Sequence, residues 1–257
     1  MSPGLDIAQL GLLLGAGVLA GAMNAVTGGG TFVSLPALAA IGLPGTVANA
    51  SSSTALLPGA LASAWAYRRD LRPLERVSTR ALGVASLLGG GVGAGLLLAT
   101  SEAVFDLVIP WLLLAATLTL AAGPRLNGAL RRAGLHTGPR AILAVQVVLG
   151  VYGGYFGGAV GLMMLAAWSL LSEASIAALT PLRTVMLVAA NAVAVLLFVV
   201  MGQVSWPAAL TVMAGAIAGG YAGAQIGRRL PAAVLRGLVL AITVGTTAIF
   251  FARAYAR

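Results

Sequence analysis

The sequence lacks cysteine and lysine, holds a single histidine and carries few charges of any kind. Without cysteine there can be no disulfide, thiolate metal site or thiol redox centre. Only 8% of the 257 residues are charged, whereas soluble domains carry about 25%. So little charge cannot keep a large apolar surface dissolved in water. These absences exclude thiol chemistry and an ordinary soluble fold.

Apolar residues make up 60% of the chain, and the mean hydropathy is +1.00. They come in runs of about 20, the length of helix that crosses a hydrocarbon core of roughly 30 Å. The alternation of a membrane-spanning β-strand is absent, and a helix satisfies its own backbone hydrogen bonds in lipid. The sequence therefore predicts an all-α, polytopic transmembrane helical bundle in a lipid bilayer. Its 35 glycines would let the helices approach closely.

The net charge of +9 comes from arginines that fall mostly between the apolar runs. A basic total can indicate nucleic-acid binding, but this placement is typical of the cytoplasmic loops of membrane proteins. We expect a multi-pass protein of the inner (plasma) membrane, with both termini outside and no nucleic-acid partner. The basic loops predicted to be cytoplasmic are 68–80, 123–140 and 227–230.

Two apolar regions, 7–43 and 141–172, are too long for one span, and glycines interrupt both. Because the chain must enter and leave each region on the same side of the membrane, each is predicted to be a helical hairpin, either spanning or re-entrant. Single spans are predicted at 81–99, 104–122, 174–201, 206–226 and 231–252.

The chain divides into two halves of like pattern, each a glycine-broken hairpin followed by three spans. Gly21 matches Gly150, and Gly90 matches Gly219 at the same separation. An odd number of full crossings in each half would invert one half relative to the other, as in many secondary transporters. The alternative is that glycine-rich sequence aligns with itself by chance. The predicted division is a first repeat at 1–123, a basic linker at 124–140 and a second repeat at 141–257.

The first candidate site is the triple glycine Gly28, Gly29 and Gly30, with Asn24 and Thr27 just before it. Glycines in an apolar run free backbone groups that must find partners. Backbone N–H groups at a helix start favour an anion. The alternative is a tight helix crossing or an ordinary turn.

The second candidate is a dense polar cluster at the start of a span: Asn49, Ser51, Ser52, Ser53 and Thr54. Serine and threonine in membrane helices often bond only to their own backbone. A cluster this dense is more typical of the wall of a polar cavity.

The third candidate is Arg183, flanked by Thr180 and Thr184, in the matching place of the second half. Arg183 lies inside an apolar stretch, where burial costs at least about 2.5 kcal/mol. The planar guanidinium suits oxyanions because it donates two parallel hydrogen bonds. The alternative is that the side chain snorkels to the cytoplasmic face.

The remaining titratable groups suggest no catalysis. The carboxylates of Asp6, Glu102, Asp106 and Glu173 fall near the ends of predicted spans, and His136 lies in a basic loop. No Ser/His/Asp set or metal-ligand cluster is visible. We therefore expect no enzyme activity, no cofactor and no metal.

The arrangement resembles the TauE/SafE family of sulfite and organosulfonate permeases. The resemblance is carried by the segment 15–21, by Gly28 to Gly30 followed by Pro36, and by the polar start 48–54. In the second half, 150–161 and 180–184 look similar. The first half departs from the family pattern at Asn24 to Thr27, where the family is usually richer in glycine, and the segment Gly157 to Gly161 is looser than its counterpart in the first half. The resemblance implies a permease for small sulfur anions.

We therefore expect a secondary transporter for a small anion such as sulfite or a sulfonate, working by alternating access around one central site. A permease for a non-sulfur anion such as a carboxylate, a non-catalytic membrane subunit and an intramembrane enzyme acting on a lipid are the alternatives. The sequence leaves a homodimer open, because lipid-facing and partner-facing surfaces look alike.

Overall fold

The computed structural model describes residues 5–132, 138–172, 174–227 and 232–255. In these ranges the chain forms ten α-helices and no β-sheet, which confirms the predicted all-α fold. The helices are α1 Ile7–Thr27, α2 Thr31–Ala40, α3 Gly45–Tyr67, α4 Thr79–Ala99, α5 Glu102–Arg132, α6 Pro139–Tyr155, α7 Val160–Leu171, α8 Ile176–Val200, α9 Trp206–Gly227 and α10 Ala232–Tyr255.

The long helices coincide with the predicted spans. Helices α4, α8, α9 and α10 begin and end within a few residues of the expected limits. Among the described residues, five helices are long and apolar enough to cross a membrane. The serine and aspartate caps at their starts, such as Asp6 before α1 and Ser175 before α8, bond the first free backbone N–H groups.

Helix α5 is longer than the expected span 104–122, because it continues to Arg132. The first part of the predicted linker 124–140 is therefore helical, not a loop. Leucine, alanine and arginine favour helix in this stretch, and basic residues are stabilising at a helix C-terminus. His136 and the rest of 133–137 lie outside the described residues, as do Glu173 and Arg228 to Pro231.

Both over-long regions break where the glycines stand. Helices α1 and α2 are separated by Gly28 to Gly30, and α6 and α7 by 156–159. Gly28 and Gly157 have φ of 80° and 75°, which glycine adopts without strain. Helix α2 has 10 residues and α7 has 12, so each is about 15 to 18 Å long. Neither second arm crosses a hydrocarbon core of roughly 30 Å, and both are half-helices.

The tightest packing joins α1 to α9 and α4 to α6 through small residues. A Cβ at Gly219 would overlap the carbonyl of Val18, and one at Gly154 would overlap the carbonyl of Gly90. These pairs exchange when each helix of the first five is replaced by its counterpart in the second five, as a two-fold repeat requires. That one half is inverted in the membrane stays a prediction.

The two crossings hold a central pair of helices, α3 and α8, which pack against each other. Half-helix α2 packs on α1, α3 and α10, and half-helix α7 packs on α5, α6 and α8. The breaks of both hairpins are thereby placed beside the polar segments of α3 and α8.

We predict that Gly154→Val destabilises the fold by about 1–3 kcal/mol, because an added side chain meets rigid backbone at the α4–α6 crossing. Gly95→Val is the matched control, since Gly95 is exposed on α4 and a Cβ there has nothing within 4 Å. Thermal unfolding in detergent measures both. Equal melting temperatures for the two variants would contradict the packing described here.

Candidate functional site

The first break leaves the start of α2 without a side-chain cap. Gly28 ends α1 by donating its N–H to the carbonyl of Asn24 over 3.0 Å. Gly30 precedes α2 and provides no side-chain hydrogen bond to it. A Cβ at Gly30 would come within 3.1 Å of Asn24 Cβ and Leu56 Cδ1, so the chain passes too close for any larger residue. The N–H groups of Phe32 and Val33 bond to the carbonyls of Gly29 and Gly30, so it is the positive end of the α2 dipole that lies at the break.

The second break leaves the start of α7 in the same condition. Ala159 precedes α7 with φ of 56° and no side-chain cap. The breaks lie side by side, because the rings of Phe32 and Phe156 meet edge to face with centroids 6.3 Å apart. Two uncapped half-helix N-termini thus occur in neighbouring parts of the bundle.

Arg183 places its guanidinium between these two elements. Its Nη1 lies 3.7 Å from where a Cβ of Gly28 would stand and 3.3 Å from that of Gly161, in the first turn of α7. Its buried Nε has no hydrogen-bond partner. Tyr67, the last residue of α3, interacts electrostatically with this group. The guanidinium therefore lies beside both breaks, within reach of Tyr67.

The two threonines beside Arg183, Thr180 and Thr184, were also predicted to belong to the site. Thr184 is buried, and its hydroxyl donates to the carbonyl of Thr180 over 2.9 Å. Such a bond satisfies the hydroxyl within α8, next to the helix-internal Pro181. Thr180 is half-buried. Both threonines lie near Arg183 on α8, but the Thr184 hydroxyl is already bonded within the helix.

Part of the α3 cluster holds helices together. Ser51 Oγ accepts from the backbone N–H of Ser205 over 2.9 Å, and Ser52 Oγ lies 2.6 Å from Ser34 Oγ. Thr54 donates to its own helix at Ala50 over 2.8 Å. These three hydroxyl groups therefore take part in hydrogen bonds, two of them between separate segments and one within α3.

The other two members face the second break. Asn49 is fully buried, and its Nδ2 donates to the carbonyl of Tyr155, the last residue of α6, over 2.9 Å. Its Oδ1 has no partner. Ser53 Oγ stands 3.2 Å from where a Cβ of Gly157 would lie. Within the predicted cluster, three residues are thus engaged in hydrogen bonds, whereas Asn49 and Ser53 lie beside the second break.

Asn191 was not predicted as a site residue. Its Oδ1 lies 3.9 Å from where a Cβ of Gly157 would stand. A signal existed, because Asn191 is the single polar residue in the apolar run 185–200. The Ser34 contact had no such signal, since it depends on two distant segments meeting.

The triple-glycine group is only partly described. Asn24 is half-buried in the last turn of α1, and Gly29 and Gly30 are buried. The side chain of Thr27 lies outside the described part of the structure. Arg183 therefore meets this group through Gly28.

The sequence model of the sulfite exporter TauE/SafE family matches residues 13–250. The chain belongs to the TauE/SafE family. It is 27% identical over 248 residues to a "Probable membrane transporter protein" of Haemophilus influenzae, and the match covers 96% of each chain. It is 26% identical over 245 residues to the "Probable membrane transporter protein YfcA" of Escherichia coli strain K12, covering 95% of this chain and 88% of that one. No solved structure matches the chain.

Membership confirms the resemblance seen in the sequence, and it identifies the chain as a member of a membrane transporter family. Together with the apolar helices, it indicates an integral membrane protein.

A cavity of about 250 Å³ opens at the start of α3 in this TauE/SafE bundle. Glu102, the first residue of α5, accepts hydrogen bonds there from the backbone N–H and the hydroxyl of Thr46. Ala50, next to Asn49, also lines the cavity. It therefore adjoins the polar segment of α3 from one end of the helix. Glu102 lies at a helix end, as expected.

We predict that the Ser34–Ser52 bond couples α2 to α3. Ser34→Ala should cost about 1–3 kcal/mol, because the buried Ser52 hydroxyl loses this partner. Ser52→Ala should cost less, because the Ser34 hydroxyl still donates to the carbonyl of Gly30 over 3.2 Å. The double variant should cost less than the sum, which thermal unfolding in detergent can measure. Ser63→Ala removes an exposed hydroxyl of α3 and serves as the control. Strictly additive losses would contradict a direct bond.

Proposed function

We propose that the chain is a secondary transporter for a small oxyanion and that Arg183 with the two helix breaks forms its binding site. The observation that carries the proposal is a guanidinium with an unpartnered Nε beside two half-helix N-termini that lack side-chain caps. In secondary transporters, the N-termini of broken helices bind the anionic groups of substrates near the membrane midplane.

The electrostatics favour an anion over a cation. Burying Arg183 in the membrane costs at least about 2.5 kcal/mol, and a bound anion would offset this cost. Each helix N-terminus contributes a partial positive charge of roughly half an electron unit. The same charges would repel a cationic substrate.

The proposed substrate class is sulfite or a small sulfonate. The family's description as a sulfite exporter supports it. The pyramidal oxygens of sulfite can accept bonds from the guanidinium fork and still present one oxygen to the backbone N–H groups of α7. A carboxylate has two coplanar oxygens, so it would have to receive the guanidinium and the backbone N–H groups in one plane. A carboxylate permease is the competing proposal, and a non-catalytic membrane subunit is another.

The proposed transport mechanism is alternating access. The reciprocal packing of α1 on α9 and α4 on α6 supports two related halves that can rock around the site. The proposed orientation in the inner membrane keeps the basic loops 68–80, 123–140 and 227–230 in the cytoplasm and both termini outside.

We predict that Arg183→Ala lowers anion uptake at least about 100-fold, because charge-assisted hydrogen bonds are worth roughly 1.5–3 kcal/mol each. Arg183→Lys should retain part of the activity, since it keeps the charge and loses the bidentate fork. The measurement is uptake of labelled sulfite, methanesulfonate and acetate into proteoliposomes. Arg140→Ala is the control, since Arg140 is exposed at the start of α6.

The outcomes separate the alternatives. Full activity in Arg183→Ala would refute the site. Acetate transported in preference to both sulfur anions would refute the substrate class, and transport of no anion by the wild-type chain would refute the transporter.

A further inference from the structure

Oxygen atoms surround the backbone break at Gly157. A Cβ at this residue would stand 3.2 Å from Ser53 Oγ, 3.6 Å from the carbonyl oxygen of Gly153 and 3.9 Å from Asn191 Oδ1. Apart from atoms of its chain neighbours Phe156 and Gly158, these are the three nearest heavy atoms, and all are oxygens. Gly157 itself has φ of 75°. The absent side chain thus leaves a small space lined by a hydroxyl, a carbonyl and an amide.

An independent feature at the same break is the unpartnered oxygen of Asn49. The side chain is fully buried, and its Nδ2 donates to Tyr155, so that bond fixes which amide atom is the oxygen. Oδ1 is left without a partner. Asn49 precedes Ser53 by one helical turn, so both project from α3 toward the end of α6. A buried amide oxygen without a donor is costly unless something binds it.

The ligand chemistry of this position is that of an alkali cation. All the groups are neutral oxygen ligands, which hard cations prefer. In the described ranges no cluster of histidine, cysteine or acidic side chains could hold a metal. Divalent ions are usually bound with carboxylates, so a monovalent ion fits better. The end of α6 adds the negative end of its helix dipole.

We propose that the second helix break binds a sodium ion through Asn49, Ser53, Asn191 and the carbonyl groups that end α6. In broken-helix transporters, unwound carbonyls and half-helix C-termini coordinate the coupling cation. The binding stands by itself, whereas coupling of the ion to an anion rests on the proposed function.

The position of the site gives a reason for coupling. Gly161 follows Gly157 by four residues, and Nη1 of Arg183 lies 3.3 Å from where its Cβ would stand. The charge of Arg183 therefore weakens sodium binding, and an anion that neutralises the arginine would strengthen it. Each ligand should then raise the affinity for the other by the same factor.

Sodium binding can be measured without transport, as a shift in melting temperature on adding NaCl at constant ionic strength. A ligand that binds only the native state raises this temperature in a saturable way. We expect a saturable rise with NaCl and none with KCl or choline chloride. Ser53→Ala and Asn191→Ala should each raise the half-maximal NaCl concentration about tenfold, the effect of roughly 1.4 kcal/mol. The same response to all three salts would overturn the site.

Two control variants exclude general effects. Gly157→Ala fills the oxygen-lined space and should abolish the sodium response, whereas Gly202→Ala carries similar backbone strain at φ of 69° with nothing within 4 Å. Gln146→Ala removes another buried amide with an unpartnered oxygen, on the α6 face toward Ser86. Both control variants should keep the wild-type response. A response lost in the controls, or kept in Gly157→Ala, would refute the assignment.

Coupling is tested by uptake of labelled sulfite into proteoliposomes with and without an inward sodium gradient. We expect the gradient to accelerate uptake and Asn191→Ala to raise the sodium requirement more than the sulfite requirement. Uptake that does not depend on the sodium gradient would refute the coupling but not the proposed anion transporter. A sodium-dependent melting shift without transport of any anion would support the cation site and refute the proposed function.

Discussion

The constraint on which the structure depends is that backbone groups in a membrane must have partners. In the described part of the chain, eight of the ten helices have 17 residues or more, but the chain breaks twice, at Gly28 to Gly30 and at 156–159. The breaks bring the starts of α2 and α7 and the end of α6 beside the polar segments of α3 and α8. Both proposed sites use these helix ends.

The rest of the architecture holds the breaks in place. Small residues let α1 approach α9 and α4 approach α6 so closely that no Cβ fits at Gly154 or Gly219. Between these crossings, α3 and α8 pack against each other at the centre. From there α8 supplies Arg183 to one break, and α3 supplies Asn49 and Ser53 to the other. The charge of Arg183 thus lies beside Gly28 and Gly161, and a group of neutral oxygens lies beside Gly157.

Most of the fold could be predicted from the sequence, because length and apolarity identify spans and glycines identify their interruptions. Arg183 could be singled out because its burial cost is visible in sequence. The division of the α3 cluster could not, since it depends on contacts of Ser51 with Ser205 and Ser52 with Ser34. Asn191 was visible but was outweighed by its apolar surroundings. The basic stretch at the end of α5 was predicted to be a loop because charge, not helix propensity, was its strongest signal.

The most direct test of the central claim is a crystal structure with selenite, an oxyanion of the same shape as sulfite whose selenium gives an anomalous signal. The proposed site predicts one strong anomalous peak within hydrogen-bonding reach of the Arg183 guanidinium and the first turn of α7. The peak should be absent in Arg183→Ala. A peak elsewhere in the bundle, or one that persists without the arginine, would contradict the proposed site.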